Sequence, residues 1–152
     1  MHNKFEENVK KILNRTGANP KKLTLEITES VLVTGFELAR AKLVALIELG
    51  VTVALDDFGT GYSSLSYLRQ LPVQHVKIDR SFVKDASLND DGKTFVKNLV
   101  QLCNDLGQNV VAEGVETEEQ HRLLCEFGAT SFQGFLYGKP MDLEHFENQN
   151  LA

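Results

Sequence analysis

Two adjacent acids, Asp56 and Asp57, follow a short apolar run and are the residues of this sequence best placed to do chemistry. The run, residues 53–55, has the composition of a buried strand, and a loop with two glycines and several hydroxyls comes after the acids. Neighbouring carboxylates repel each other unless a cation lies beside them, so a divalent metal ion is their natural partner. In the structural alternative, Asp56 caps the strand and Asp57 opens a turn or caps the next helix.

Four other strand-like segments also deliver polar side chains near their carboxyl ends. Parallel α/β folds keep their chemistry at that end of the strands, so these side chains would converge there. The two-residue period of a strand places Lys77 and Asp79 on the same face. Charged groups are costly to bury unless they are paired or bound to a metal. The repeated pattern therefore predicts one site, built from Glu26, Asp56, Asp57, Lys77, Asp79, Glu113 and Gln133.

A cluster of carboxylates without histidine favours Mg²⁺ or Mn²⁺, which prefer oxygen ligands, over zinc. Two such ions about 4 Å apart suit phosphoester hydrolysis, because they activate a bridging water and stabilise the attacking and leaving oxygens. Lys77 would orient that water or offset charge in the transition state, and Glu113 would accept the proton. The competing interpretation is a buried salt-bridge network in which Lys77 neutralises one or two acids.

The histidines and cysteines are not expected to take part in this chemistry. His75 lies deeper on its strand and is expected to be a hydrogen-bonded core residue. The remaining histidines are expected to be solvated: His2, His121 and His145. Cys103 and Cys125 fall in apolar helical patterns, and both are predicted to be buried in a reducing cytoplasm rather than to form a disulfide or a zinc site.

The elements that must position the site alternate regularly between strand and helix. A helix, a glycine, a strand and a polar loop recur five times, which indicates a parallel sheet with helices packed against it. The sheet could be open and doubly wound, or it could be five strands of a (β/α)8 barrel. The predicted strands are residues 23–28, 53–55, 73–79, 109–113 and 131–136, with a polar interval at residues 86–92 and a helix-opening capping box at residues 117–120.

Composition and charge restrict the partners. The chain has 152 residues and 17.0 kDa, with 42% hydrophobic and 24% charged residues, which is ordinary for one globular domain. A net charge of -5 and a pI near 5.4 provide no basic surface for duplex nucleic acid or for an anionic membrane. No stretch approaches the ~18 apolar residues of a membrane span. A cytoplasmic segment without membrane contact is expected, although a longer parent protein could be tethered elsewhere.

Five stretches of the sequence resemble, in order and spacing, the EAL-domain family of cyclic-di-GMP phosphodiesterases. Together they cover nearly the whole chain, which makes the resemblance specific. The stretches are residues 25–30 (LEITES), 56–64 (DDFGTGYSS), 76–79 (VKID), 112–117 (AEGVET) and 133–140 (QGFLYGKP). The resemblance implies a TIM-type barrel and hydrolysis of cyclic-di-GMP to the linear dinucleotide pGpG in bacterial second-messenger signalling.

The resemblance also implies a role for each acidic residue near the metals. Glu26 and Asp56 would be metal ligands, and Asp57 and Asp79 would serve the second metal position, with Mg²⁺ or Mn²⁺ as the ion. Lys77 would hold the nucleophilic water.

Proton transfer and substrate contacts would fall to the other matching positions. Glu113 resembles the family's general base, and Glu29 would anchor the loop of residues 57–64. Contacts with the substrate or with the groups behind the metals would come from Glu116, Gln133, Thr60 and Gly61.

Two motifs of the family are missing from the sequence. The Glu-Ala-Leu motif of the first strand and the metal-binding asparagine of the second would lie upstream of Met1. We therefore expect a single partial domain over residues 1–152, an incomplete α/β TIM-type barrel of about five parallel strands. The complete domain is expected to be active and this fragment alone weak or inactive. Its open sheet edges predict self-association or exchange of elements between chains.

Three other functions fit parts of the sequence. A receiver-type signalling module would explain the acidic pair and the Lys139-Pro140 dipeptide, but it leaves the other strand-end acids unexplained. A barrel aldolase would use Lys77 as a Schiff base, although the surrounding acids favour a protonated lysine. A catalytically silent cyclic-di-GMP sensor or protein-interaction module would keep the same fold without turnover.

Overall fold

The computed structural model of the chain describes residues 4–30, 35–59 and 65–150. Its strands are β1 (Thr24–Thr28), β2 (Thr52–Phe58), β3 (His75–Ile78), β4 (Asn109–Glu113) and β5 (Ser131–Gln133). Its helices are α1 (Phe5–Thr16), α2 (Phe36–Glu48), α3 (Leu65–Gln70), α4 (Arg80–Leu88), α5 (Asp90–Asp105), α6 (Glu118–Phe127) and α7 (Leu143–Asn150), with a 3-10 turn at Pro20–Lys22. None of these helices combines the length and the apolar character needed to cross a membrane.

The five strands are parallel and lie in the sheet in the order in which they occur in the chain. A doubly wound sheet reverses its strand order at a switch point, and this order never reverses. Because the crossovers between parallel strands are right-handed, an order without reversal keeps all the helices on one face. The order agrees with a TIM-type barrel arrangement and rules out the open doubly wound alternative.

One face of the sheet is apolar and packs against the helices. Strand residues such as Leu55, Val76 and Val110 are fully buried there. They join one hydrophobic cluster with residues of the surrounding helices, namely Leu43, Leu46, Val83, Val96, Val100 and Leu124. The opposite face, which we call the polar face, carries Glu26, Thr28, Asp56, Lys77, Glu113 and Gln133, as the strand register requires. The core therefore fixes which side chains can reach a common site.

Strand β2 carries a β-bulge at the acid pair. The register of β2 against β3 shifts between Leu55 and Phe58, so Asp56 and Asp57 together face one residue of β3, Lys77. Asp57 has a φ of 55°, in the left-handed region that aspartate tolerates better than most residues. Both acids lie inside β2, which continues to Phe58, so the loop expected from residue 57 begins later than predicted. Without the bulge, adjacent residues of a strand would point to opposite faces.

Helix α4 was not foreseen by the sequence interpretation, which treated residues 86–92 as a polar interval. Only Asn89 in that interval lies outside a helix, because α4 continues to Leu88 and α5 begins at Asp90. The Asn89 side chain accepts a hydrogen bond from the backbone N–H of Gly92 at 2.7 Å and so starts the next helix directly. The short polar side chains of this interval therefore serve as caps rather than as a loop.

The last strand is shorter than residues 131–136, because the chain turns at Gly134. A Cβ atom at this position would overlap the backbone of Val115, which follows β4. Val115 donates its N–H to the carbonyl of Gln133 and accepts from the N–H of Leu136, each at 3.0 Å. The segments that follow β4 and β5 are therefore locked together at the carboxyl end of the sheet.

The two cysteines lie in different environments. Cys103 is buried, as predicted, and burial raises the pKa of its thiol to about 11. Cys125 is exposed on α6, so the prediction that it is buried was wrong. It lies on the outer side of an amphipathic helix whose inner side presents Leu124 and Phe127 to the core.

Candidate active site

The Lys77 ammonium lies at the centre of the polar face. Its Nζ is 2.8 Å from Glu26 Oε2, 2.9 Å from Asp56 Oδ1 and 2.7 Å from Glu113 Oε1. These acids come from β1, β2 and β4, the two strands before β3 and the one after it. The structure thus brings together four of the residues that the sequence pattern assigned to one site. It also contains the salt-bridge network that the competing interpretation required.

The balance between burial and ion pairing decides the charge state of Lys77. Its side chain is only 7% exposed, and burial alone would lower its pKa. The contacts with the three carboxylates outweigh burial and raise the pKa of Lys77 well above the usual value for lysine. The stability that the ion pairs contribute is complete below the ordinary lysine pKa and is lost only as the pH rises through the raised one. Lys77 is therefore protonated at neutral pH, which disfavours the Schiff-base alternative.

A second group of carboxylates overlaps the first. Asp56, Asp57 and Glu113 each offer an oxygen within 4.8 Å of the others, which is close enough for one metal ion. Asp56 Oδ1 is buried and ion-paired with Lys77, yet it lacks a well-aligned hydrogen bond. Carboxylate oxygens are the ligands that Mg²⁺, Mn²⁺ and Ca²⁺ prefer. The bulge in β2 is what allows Asp57 to join this group.

Glu113 combines partial burial with charged neighbours. Burial raises the pKa of its carboxyl group, and the hydrogen bond and charge of Lys77 offset only part of that shift. A carboxyl group with a higher pKa in the folded chain holds its proton more tightly than in the unfolded chain. The free energy of unfolding consequently falls as the pH rises from the ordinary glutamate pKa to the raised pKa of Glu113. Such a carboxylate is a stronger base than an ordinary glutamate.

Asp79 makes contacts of a different kind. Its side chain caps α4 by accepting from the hydroxyl and the backbone N–H of Ser81, the latter at 2.9 Å. The hydrogen bond from the Ser81 hydroxyl lowers the pKa of Asp79, and the backbone N–H adds to this effect. Among the described residues, Asp79 is not part of the group that could hold one metal ion. Its assignment to a second metal position stays a prediction.

Substitutions at Asp79 separate these two roles. Asp79→Ala removes both cap hydrogen bonds and should lower the free energy of unfolding by about 1 kcal/mol, measured by urea denaturation without metal. Asp79→Asn keeps a capping oxygen and should change stability by less than half as much. If Asp79→Asn nevertheless weakens Mn²⁺ binding, the Asp79 carboxylate both binds a metal and caps α4. Equal stability of Asp79→Ala and the parent chain would contradict the cap.

Three of the remaining predicted residues, Glu29, Glu116 and Gln133, are described and lie around the rim of the sheet. Glu29 Oε1 accepts the N–H of Gly59 at 2.9 Å, which is the type of contact needed to anchor the loop after β2. Gln133 pairs in register with Glu113, and the Glu116 side chain is exposed just beyond β4. Thr60 and Gly61 lie outside the described residues. The roles of all five in substrate binding stay predictions.

His75 differs from its expected role as a hydrogen-bonded core residue. It lies on the polar face, one position below Lys77, and is partly exposed. Its Nδ1 is buried without a hydrogen-bond partner among the described residues. The two-residue strand period already placed it on the face of Lys77, but the sequence could not show that this face lacks a partner for it.

A family model described as EAL domain matches residues 1–140 of the chain. The bifunctional diguanylate cyclase/cyclic di-GMP phosphodiesterase MucR of Pseudomonas aeruginosa is 41% identical over 143 residues, which are 94% of this chain and 21% of MucR. The cyclic di-GMP phosphodiesterase PdeL of Escherichia coli is 42% identical over 137 residues, 90% of this chain and 38% of PdeL. The chain thus spans well under half the length of these two relatives.

Solved structures give the same picture of the fold. The c-di-GMP complex of the MucR phosphodiesterase superposes with a TM-score of 0.89 at 41% identity, covering 95% of this chain and 59% of that chain. A manganese and cy-diGMP complex of Klebsiella pneumoniae BlrP1 superposes with a TM-score of 0.82 at 37% identity, covering 91% of this chain and 35% of that chain.

Proposed function

The chain belongs to the EAL domain family, and we propose that it forms the greater part of the catalytic rim of a metal-dependent phosphodiesterase that hydrolyses cyclic-di-GMP to pGpG. The similar chains of MucR and BlrP1, described as bound to this dinucleotide, support the substrate. The manganese in the BlrP1 complex supports a divalent cation.

The observation that carries the proposal is the excess of negative charge around Lys77. Three carboxylates, those of Glu26, Asp56 and Glu113, share one ammonium. A buried salt-bridge network made only for stability would need balanced charges, because unpaired charges are costly to remove from water. The excess therefore favours a site that accepts a divalent cation.

Asp56 and Asp57 would hold the ion, with Glu26 next to them across Lys77 and Glu113 close enough to reach a coordinated water. When bound, the cation would lower the pKa of a coordinated water and neutralise charge on the phosphodiester. The chain's own residues position the substrate and move the proton. Glu113 accepts a proton at a carboxylate oxygen, and its raised pKa makes it a stronger base than an ordinary glutamate.

Lys77 has a further part in this scheme. An ammonium has three N–H donors, and the three carboxylates match that number. Lys77 therefore acts as the resident cation of the acids, with a carboxylate oxygen within ion-pair distance for each ammonium N–H. Contacts of the acids with a divalent ion would free one of these donors, which could then orient the attacking water or a phosphate oxygen.

We further propose that the 152-residue chain alone is a weak enzyme. The described part has five parallel strands, whereas a TIM-type barrel closes with eight, so the polar face is open. The Glu26 side chain is 47% exposed, although its carboxylate contacts Lys77. Water at this position weakens electrostatic stabilisation, because charges interact less strongly in a wet site.

Calorimetry tests the proposed function directly. Cyclic-di-GMP is titrated into the 152-residue chain and into a longer chain that adds three further barrel strands, each in Mg²⁺ and in EDTA. We expect turnover by the longer chain in Mg²⁺ only, and weak binding without turnover by the shorter one. Turnover that persists in EDTA would refute the metal dependence, and equal turnover by both chains would refute the impairment.

A further inference from the structure

An imidazole, a thiol and a phenol meet on the outer side of α6, away from the polar face. His121 and Cys125 lie one helical turn apart, and the Cys125 Sγ is 3.6 Å from His121 Nε2. The hydroxyl of Tyr137, in the turn after β5, lies 2.7 Å from His121 Nδ1. We propose that His121 and Cys125 form a binding site for a soft divalent transition metal such as Zn²⁺, with Tyr137 as the residue that positions the imidazole.

The distance between the two donor atoms fits one tetrahedral ion. Zinc binds cysteine sulfur at about 2.3 Å and histidine nitrogen at about 2.0–2.1 Å. At a tetrahedral angle these bond lengths separate sulfur and nitrogen by about 3.6 Å. The Sγ to Nε2 distance of 3.6 Å matches this value, but Sγ is also 3.9 Å from Nδ1, so the sulfur lies beside the ring. The exposed Cys125 side chain must therefore rotate before both ligands bind one ion.

The contact on the other ring nitrogen supports the same assignment. Histidine ligands of metals commonly donate their second ring N–H to an oxygen, which fixes the ring orientation and leaves the first nitrogen free to bind. Tyr137 supplies such an oxygen at Nδ1. A phenol is neutral at neutral pH and can therefore accept the N–H.

An aromatic contact restricts the imidazole further. The ring of Phe132 on β5 packs edge to face against His121, with 4.6 Å between the ring centroids. The imidazole is thus held by β5, by the turn after it and by its own helix. A ligand that is already fixed loses little conformational entropy on binding.

The site has only two protein ligands in the described part of the chain, so its metal affinity is limited. In the described part of the chain, no third carboxylate, imidazole or thiol completes a close group with His121 and Cys125. Water molecules therefore complete the coordination. The thiol loses its proton to solvent when the metal binds, as thiolate ligation requires. The soft sulfur ligand separates this site from the oxygen ligands of the polar face, which suit Mg²⁺ or Mn²⁺.

A Cd²⁺ titration of the 152-residue chain tests the proposal, with excess Mg²⁺ present to occupy the carboxylates. We expect a thiolate-to-cadmium charge-transfer band that is lost in Cys125→Ser. The affinity should fall at least tenfold in His121→Gln and about tenfold in Tyr137→Phe. Cys103→Ala and His145→Gln are the matched controls and should leave the titration unchanged, with circular dichroism confirming that each variant is folded.

Two results would overturn the proposal. If His121→Gln binds Cd²⁺ as tightly as the parent chain, the thiol binds alone and the imidazole is not a ligand. If the charge-transfer band survives in Cys125→Ser, the metal binds elsewhere.

Discussion

A Lys77→Met variant is expected to be less stable than the parent chain by roughly 3 kcal/mol at pH 7 without metal, because removing one partner leaves buried charges uncompensated. The methionine fills the space of the lysine stem, but three carboxylates then face one another without a cation. Catalysis by the longer chain should fall by about 10²–10³-fold, the usual effect of removing one electrostatic contact with the reacting groups. Urea denaturation and single-turnover hydrolysis of cyclic-di-GMP measure the two effects.

Added Mn²⁺ should recover more stability in Lys77→Met than in the parent chain, because the ion no longer competes with the ammonium for the same oxygens. Lowering the pH to about 5 should also reduce the difference, since the carboxylates then begin to protonate. Lys84→Met, at an exposed position of α4, is the matched control and should change stability by less than about 0.5 kcal/mol. Unchanged stability of Lys77→Met, with or without Mn²⁺, would show that the ion pairs are not needed to hold the acids.

A Glu113→Gln variant is expected to lose activity without losing stability. The amide occupies the same volume and its oxygen can still accept from Lys77, but it cannot take up a proton. The longer chain should therefore hydrolyse cyclic-di-GMP about 10²–10⁴-fold more slowly, the range typical of a general base. The free energy of unfolding at pH 7 should stay the same or rise, because a carboxylate with a raised pKa opposes folding at neutral pH.

The pH dependence provides the control for this variant. In the parent chain, the acid side of the pH–activity profile should lie above the ordinary glutamate pKa, since the Glu113 carboxyl group holds its proton more tightly. Stability should fall with rising pH over the same interval, and this fall should vanish in Glu113→Gln. Glu119→Gln, at an exposed position of α6, should alter neither profile. A Glu113→Gln chain with full activity would assign proton transfer to another group.

The site was predictable from the sequence because the two-residue strand period determines which side chains share a face. Lys77 shares the polar face with Glu26 and Glu113, as the alternation of their strands requires. The choice between a barrel and a doubly wound sheet was not predictable, because the strand order depends on which face of the sheet each connecting helix packs against. Asp79 could be placed near the strand end, but its role in capping α4 depends on Ser81 and on a helix that the sequence interpretation did not assign.

The acid pair shows the limit of pattern analysis most clearly. In a regular strand Asp56 and Asp57 would point to opposite faces. The structure brings them together with a bulge, which the sequence signals only by the three-residue spacing from Leu55 to Phe58. The burial of Cys125 was also mispredicted. Cys125 lies at the border of the apolar side of α6, next to the buried Leu124, and sequence alone does not show how deep such a border position lies.

The bulge in β2 also has a consequence for protein engineering. If the residue at position 57 were deleted, the strand would become regular, with Leu55 and Phe58 still directed toward the helices and Asp56 still opposite Lys77. The second acid is thus gained by lengthening the backbone by one residue and not by exchanging a side chain. Grafting this acid pair onto another parallel sheet would therefore require an insertion, and a library that varies residue types at fixed chain length would never recover it.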